Sequence, residues 1–196
     1  MIDLHTLRIG IMTPPKCGTH TLHAVFCSPP WCGHAVVGPT ISDPAKLDRH
    51  VRVWPNELDG YRKLVVVRHP LDRLVSLFLH FVRFEAAEGR GTPSFRTFCR
   101  WVVGPRPPEF GPQLLYRWNL CQWLEGAKWD AVLKVESLQA DLAREGLAVE
   151  SLPRENTSFR SRPWQAFYDV ELFELTRPWA EPDCERFGYE WLSPVK

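Results

Sequence analysis

The chain is short of several things that would classify it at a glance. Net charge is only +1, with 24 basic and 23 acidic side chains, and no polybasic block stands along it. Binding to a nucleic-acid polymer rests on many neutralised phosphates, so such a polymer is not the expected partner. A local site for a small polyanion stays open, because net charge averages over the whole surface. No apolar run is long enough for a membrane: the stretch after Pro70 is broken by His80 and Arg83, well short of the ~20 residues a span needs. Met1 to Met12 carries Asp3 and lacks an apolar core with a small-residue cleavage site, so no signal peptide is expected. The six cysteines (Cys17, Cys27, Cys32, Cys99, Cys121, Cys184) lack the spacing of a disulfide framework. Reduced thiols in a cytoplasmic protein are the expectation. Cys27, Cys32 and His34, with His20 and His23 upstream, come nearest to a zinc set, but the fourth ligand would have to be chosen arbitrarily, and no metal is expected. Internal repeats and interdomain linkers are also missing.

Trp is the residue in surplus, with nine copies. Trp31, Trp54, Trp164 and Trp179 sit among charges and prolines. Either they staple a loop-rich small fold or some of them line an acceptor face.

The coarse organisation alternates strands and helices. Leu7 to Met12 is a short apolar run stopped by Thr13-Pro14-Pro15, which predicts a buried strand. Leu22, Val25 and Phe26 fall at helical spacing after it. Residues 28–60, rich in Pro, Gly and Asp, predict irregular structure with short helical pieces. Leu64 to Val67 is a β-branched run of the kind found in a strand covered on both faces. From Leu71 through Leu74, Val75, Phe78, Leu79 and Val82 the period is helical, with Pro70 suited to the first turn. Further helices are predicted near Phe95 to Val103, Gln113 to Glu125 and Leu138 to Arg144, the last capped by Ser137. Trp129 to Val135 predicts another strand, and the tail two helices, Tyr168 to Thr176 and Pro178 to Phe187. The fold class expected is α/β, a parallel sheet flanked by helices on both faces.

Two segments carry chemistry. In Lys16-Cys17-Gly18-Thr19-His20-Thr21, between strand and helix, Gly18 allows a tight turn whose N–H groups point into one concavity. The helix dipole, the Lys16 charge and the hydroxyls of Thr19 and Thr21 favour a phosphate there. A polar turn into a helix is the plain alternative. The nucleoside-triphosphate loop, Gly-x-x-x-x-Gly-Lys-Ser/Thr, is absent, since Lys16 precedes the glycine instead of following it. Later, Arg68 stands at the carboxyl end of a strand, where ligands of open α/β sheets collect, and Ser76 follows two helical turns on. The Arg68 fork suits phosphate oxygens and Ser76 adds a hydroxyl. Alternatively, Arg68 and Arg73 pair with nearby acids.

Together these segments resemble the sulfotransferases that use 3′-phosphoadenosine-5′-phosphosulfate. Pro15-Lys16-Cys17-Gly18-Thr19-His20-Thr21-Leu22 is similar to that family's 5′-phosphosulfate loop, Pro-Lys-x-Gly-Thr-Thr/Ser-x-Leu, with His20 in place of the usual hydroxyl residue. Arg68 through Phe78 is similar to its 3′-phosphate motif, Arg-x-Pro-x-x-Arg-x-x-Ser-x-Phe, at every fixed position. Val132 to Leu138 resembles a strand ending in Glu-x-Leu. Asn156-Thr157-Ser158 through Phe187-Gly188-Tyr189 resembles the tail of the carbohydrate sulfotransferase branch.

The resemblance implies one P-loop-like sulfotransferase domain over residues 1–196. Its co-substrate would be held by Lys16, Cys17, Gly18, Thr19, His20, Thr21, Arg68 and Ser76, and its acceptor would be a small molecule or carbohydrate. It further implies Lys16 as the group stabilising the leaving phosphate oxygen. His50, before the second strand, is implied as base for the acceptor hydroxyl. His34, His20, Glu57 or no side-chain base are the alternatives. A non-catalytic binder of adenosine 3′,5′-bisphosphate and a small-molecule kinase-like transferase are the rival functions.

Overall fold

Two short apolar runs, far apart in sequence, lie side by side as parallel strands and set the position of everything that follows. The computed structural model describes residues 2–26, 35–37, 56–89, 91–104, 117–153 and 162–191. These fall into two compact units, Met1–Arg68 with Trp123–Asn156, and His69–Gln122 with Thr157–Lys196.

The first unit holds a five-stranded sheet of order β3-β1-β2-β4-β5. Its strands are β1 (Ile2–Leu4), β2 (Ile9–Met12), β3 (Ala35–Val37), β4 (Arg62–Val67) and β5 (Ala131–Lys134). β2, β4 and β5 run parallel, with Met12 opposite Val65 and Val67 opposite Lys134. β1 pairs antiparallel with both β2 and β3. The sheet is thus mixed, where the sequence predicts only its parallel part. Leu64, Val65, Val66 and Val67 are all fully buried, as a strand covered on both faces requires.

β2 starts at Ile9, not at Leu7. Leu7 closes a 3-10 turn, and Arg8 takes a left-handed conformation (φ 53°) that ends the turn before the strand begins. At the amino-terminal edge, Lys63 N–H donates to Asp130 Oδ2 at 2.7 Å and Asp130 N–H donates to Lys63 C=O at 2.7 Å, fixing the β4–β5 register. Helix α1 (Thr19–Phe26) buries Leu22, Val25 and Phe26, the three positions its period selects. α5, defined as Leu138–Arg144, follows β5 after a 3-10 turn at Val135–Ser137.

The second unit is helical. α2 (Pro70–Ala87) carries Pro70 in its first turn, where a missing N–H costs nothing. α3 (Phe95–Val103) is capped by Ser94, whose hydroxyl accepts the Thr97 N–H at 3.1 Å. Its Phe98 and Trp101 pack with Phe81 of α2, Tyr168 and Phe173 in one apolar cluster. Of the helix predicted over Gln113 to Glu125, residues 113–116 lie outside the described residues, and the described part is helical over Leu120–Trp123. α4 (Leu120–Trp123) starts there because Asn119 and Gln122 cap each other. Asn119 Oδ1 accepts the Gln122 N–H (2.8 Å), and Gln122 Oε1 accepts the Asn119 N–H (3.1 Å).

The tail is one helix, α6 (Val170–Phe187), not two. Leu172, Phe173, Thr176, Trp179, Ala180, Cys184 and Phe187 form a continuous buried stripe across Pro178 and Pro182, both of which are exposed. An interior proline costs ~3 kcal/mol, and each large apolar side chain buried returns about 1.5–3 kcal/mol. The stripe outweighs the breakers. Among the described residues, no helix is long and apolar enough to cross a membrane.

Candidate nucleotide site

The carboxyl ends of β2, β4 and β5 share one edge of the first unit, so the segments leaving these strands meet there. After β2 the chain turns at Pro14, whose carbonyl accepts the Cys17 N–H at 3.1 Å. Lys16 (φ 66°) and Gly18 (φ 78°) are both left-handed. Alternation of this kind turns successive N–H groups toward one side and makes a concavity for an anion. For Lys16, which carries a Cβ, the conformation costs roughly 1–2 kcal/mol. The Gly18 carbonyl accepts the Leu22 N–H at 3.0 Å and so starts α1.

The floor beneath this turn comes from the segment after β5. A Cβ placed on Gly18 would lie 3.7 Å from Val135 Cγ2 and 3.8 Å from Leu138 Cδ2. Those are ordinary contacts, so Gly18 is required by its positive φ and not by lack of room. Asp141, only 3% exposed, holds that segment in shape. It accepts the Lys134 N–H at 2.7 Å and the Ser137 hydroxyl at 2.9 Å, and pairs with Arg144 at 2.8 Å. Ser137 therefore stands at the predicted cap position but acts otherwise: its hydroxyl donates to Asp141 and makes no cap bond to the helix backbone. Val135, Leu138 and Asp141 escaped the sequence reading as site residues. Their signal was position alone, just past a third parallel strand.

Arg68 leaves the end of β4 and reaches the turn. Its Nη1 donates to the Lys16 carbonyl at 3.3 Å. Lys16, Cys17, Gly18 and Arg68 are thus gathered at one place, with Thr19 and Thr21 partly exposed on the first turn of α1 and His20 exposed beside them. Cys17 is wholly buried and its N–H is taken by the Pro14 carbonyl, so this position shapes the turn through its backbone conformation. His23, on the next turn, is held below the usual histidine pKa, first by burial and then by nearby positive charge. The residues fit an anionic group: main-chain donors in a concavity, one lysine and one arginine.

Ser76 belongs to α2 in the second unit and is 2% exposed. Arg73, the other arginine of the motif, is fully buried there. It donates to the Trp118 carbonyl at 2.9 Å and lies over the Trp179 ring at 5.7 Å. Its charge also favours ionised Asp183, which accepts the Leu120 and Cys121 N–H groups at 2.7 Å each. Burial nonetheless raises the Asp183 pKa overall. Arg73 is thus a core element of the second unit, held by a main-chain carbonyl and an indole ring. His50, His34, Cys27, Cys32, Trp31, Trp54 and Asn156-Thr157-Ser158 lie outside the described residues, as does the side chain of Glu57.

The profile described as the Sulfotransferase family matches residues 15–166, from the turn before Gly18 to the 3-10 segment around Trp164. No curated protein matches the chain, and no solved structure matches it. The match covers most of the sequence and both phosphate-type segments, and the α/β fold carries the strand–turn–helix that a P-loop-like architecture requires: this chain belongs to the sulfotransferase family.

Proposed function

We propose that the protein transfers a sulfuryl group from 3′-phosphoadenosine-5′-phosphosulfate to a hydroxyl of a small-molecule or carbohydrate acceptor, with residues 1–196 acting as one catalytic domain in the cytoplasm. The observation that carries this reading is the Arg68 contact to the Lys16 carbonyl, because it joins the two phosphate-type segments at one strand edge. The left-handed pair Lys16 and Gly18 supports a seat for the 5′-phosphosulfate. Arg68 suits the 3′-phosphate, and Ser76 enters with it through the sequence motif alone.

When bound, the donor supplies the sulfuryl group and leaves as adenosine 3′,5′-bisphosphate. Lys16 and the N–H groups of the turn stabilise the negative charge that grows on the phosphate oxygen as its bond to sulfur breaks. Cys17, Gly18, Thr19, His20 and Thr21 hold the phosphate so that the sulfur faces the acceptor for in-line attack. His50 takes the proton from the attacking hydroxyl as the new sulfur–oxygen bond forms.

Calorimetric titration with adenosine 3′,5′-bisphosphate and with ATP, followed by turnover on an acceptor panel, tests the proposal. Tight bisphosphate binding with sulfated product on at least one acceptor supports it. Tight ATP binding with none for the bisphosphate would point to a kinase-like enzyme, and bisphosphate binding without turnover on any acceptor to a non-catalytic binder.

A further inference from the structure

A cavity of about 340 Å³ lies within the second unit, where the end of α3, the turn into α4 and the middle of α6 meet. That volume is at the small end of ligand sites and suits a single ring with one substituent. Val102, Val103 and Pro178 give it an apolar lining, with Trp118 and Trp179 beside them. Its polar lining is Arg117, Asn119 and Gln122, and among the described residues no carboxylate joins them.

The walls are tied to one another. The Trp179 indole N–H donates to the Arg117 carbonyl at 2.7 Å, and Asn119 Nδ2 donates to the Trp179 carbonyl at 3.0 Å. Buried Arg73 donates to the Trp118 carbonyl at 2.9 Å, and Arg117 Nη2 donates to the Gly104 carbonyl. These bonds decide what the lining side chains still offer. The two that can accept, Asn119 through Oδ1 and Gln122 through Oε1, each already hold a main-chain N–H. Donors remain: Nε and Nη1 of Arg117 and Nε2 of Gln122 make no bond to the described residues.

A ligand matched to this balance takes hydrogen bonds and gives few. A sugar brings several hydroxyl hydrogens, and each one left without an acceptor costs free energy. A carboxylate or sulfate group brings none, and its oxygens can take the remaining guanidinium and amide donors. The aliphatic and indole surface then suits a flat hydrocarbon body.

We infer that this cavity binds a small aromatic acid, one ring carrying a single carboxylate or sulfate group, with Arg117 and Gln122 holding the anionic end. The site shares no residue with the Lys16–Arg68 seat, and the inference does not rest on what that seat binds.

The test is calorimetric titration of benzoate, phenyl sulfate, benzyl alcohol and glucuronate into the wild-type, Arg117→Ala, Gln122→Glu and Lys16→Ala proteins. Benzoate or phenyl sulfate should bind the wild type at least about tenfold more tightly than benzyl alcohol, which lacks the charge, or glucuronate, which adds hydroxyls. In Gln122→Glu a carboxylate oxygen can still accept the Asn119 N–H, so the turn keeps its cap while the spare donor becomes a negative charge. That change should weaken the bound anion at least about tenfold. Arg117→Ala should do the same; if it does not fold, Gln122→Glu decides alone. Lys16→Ala should leave the anion's affinity unchanged. The inference is overturned if neither anion binds the wild type, or if Gln122→Glu leaves binding intact. Loss of binding in Lys16→Ala with none in Gln122→Glu would put the anion in the nucleotide seat instead. Glucuronate bound as tightly as benzoate would overturn the aromatic class.

Discussion

Arg68 and Lys16, 52 residues apart in the chain, are joined by a hydrogen bond from guanidinium Nη1 to main-chain carbonyl at 3.3 Å. The bond follows from the parallel pairing of β2 and β4, which brings the ends of the two strands to one edge. It places a cation against a turn whose own backbone donors already favour an anion. Neither segment alone separates a phosphate site from a polar turn; their meeting gives the site two cationic side chains and a shaped backbone.

Lys16→Ala should lower kcat/KM on any acceptor at least a hundredfold, as loss of a charge that acts in the transition state does. Affinity for adenosine 3′,5′-bisphosphate should fall far less. Lys16→Gly, which accepts a φ of 66° without a Cβ, should lose as much activity yet unfold no earlier than Lys16→Ala. Equal losses of turnover and product affinity would show that Lys16 merely binds.

Gly18→Ala tests the backbone argument. Room exists for the methyl group, but at φ 78° it should cost roughly 1–2 kcal/mol of stability. Urea unfolding should show that loss, and the bisphosphate should bind more weakly because the turn relaxes toward negative φ. A neutral Gly18→Ala protein would mean that the left-handed turn is not needed.

Asp141→Ala removes the acceptor of a buried backbone N–H and of the Ser137 hydroxyl. The expected cost is about 2–3 kcal/mol in urea unfolding. Because the same segment lies under Gly18, bisphosphate affinity should fall as well. A stability loss with unchanged affinity would separate this segment from the site.

His23 provides a pH test. Its folded pKa is lowered from 6.5 by burial and then by nearby positive charge, so below that value the unfolded chain takes up a proton that the folded chain refuses. The contribution is fully present above pH 6.5 and is lost as pH falls through the lower folded value. Thermal unfolding of the wild type should thus move to lower temperature over that acid window more than in His23→Gln. Parallel curves for the two proteins would contradict the assignment.

Much of this was legible in the sequence, and the misses have physical causes. Leu22, Val25 and Phe26 announced α1, and Phe95 to Val103 marked α3 at its observed ends, because each has an amphipathic period and α3 a serine cap. β1 went unseen: Ile2-Asp3-Leu4 alternates as a strand should, but three residues are too few to stand out, and their pairing partners supply the stability. Pro178 and Pro182 read as breaks in the tail because local propensity ignores the buried stripe that holds α6 together. For the site, the motifs named Lys16, Gly18 and Arg68, but no spacing rule announces a hydrogen bond that depends on strand order. Val135 and Asp141 were hidden for the same reason.

The most direct measurement is a crystal structure of the protein with adenosine 3′,5′-bisphosphate. One nucleotide is expected, with its 5′-phosphate on the N–H groups of Gly18 and Thr19 beside Lys16 and its 3′-phosphate on the Arg68 guanidinium. A nucleotide bound away from Gly18, or one whose 3′-phosphate avoids Arg68 while Arg68 keeps its bond to the Lys16 carbonyl, would contradict it.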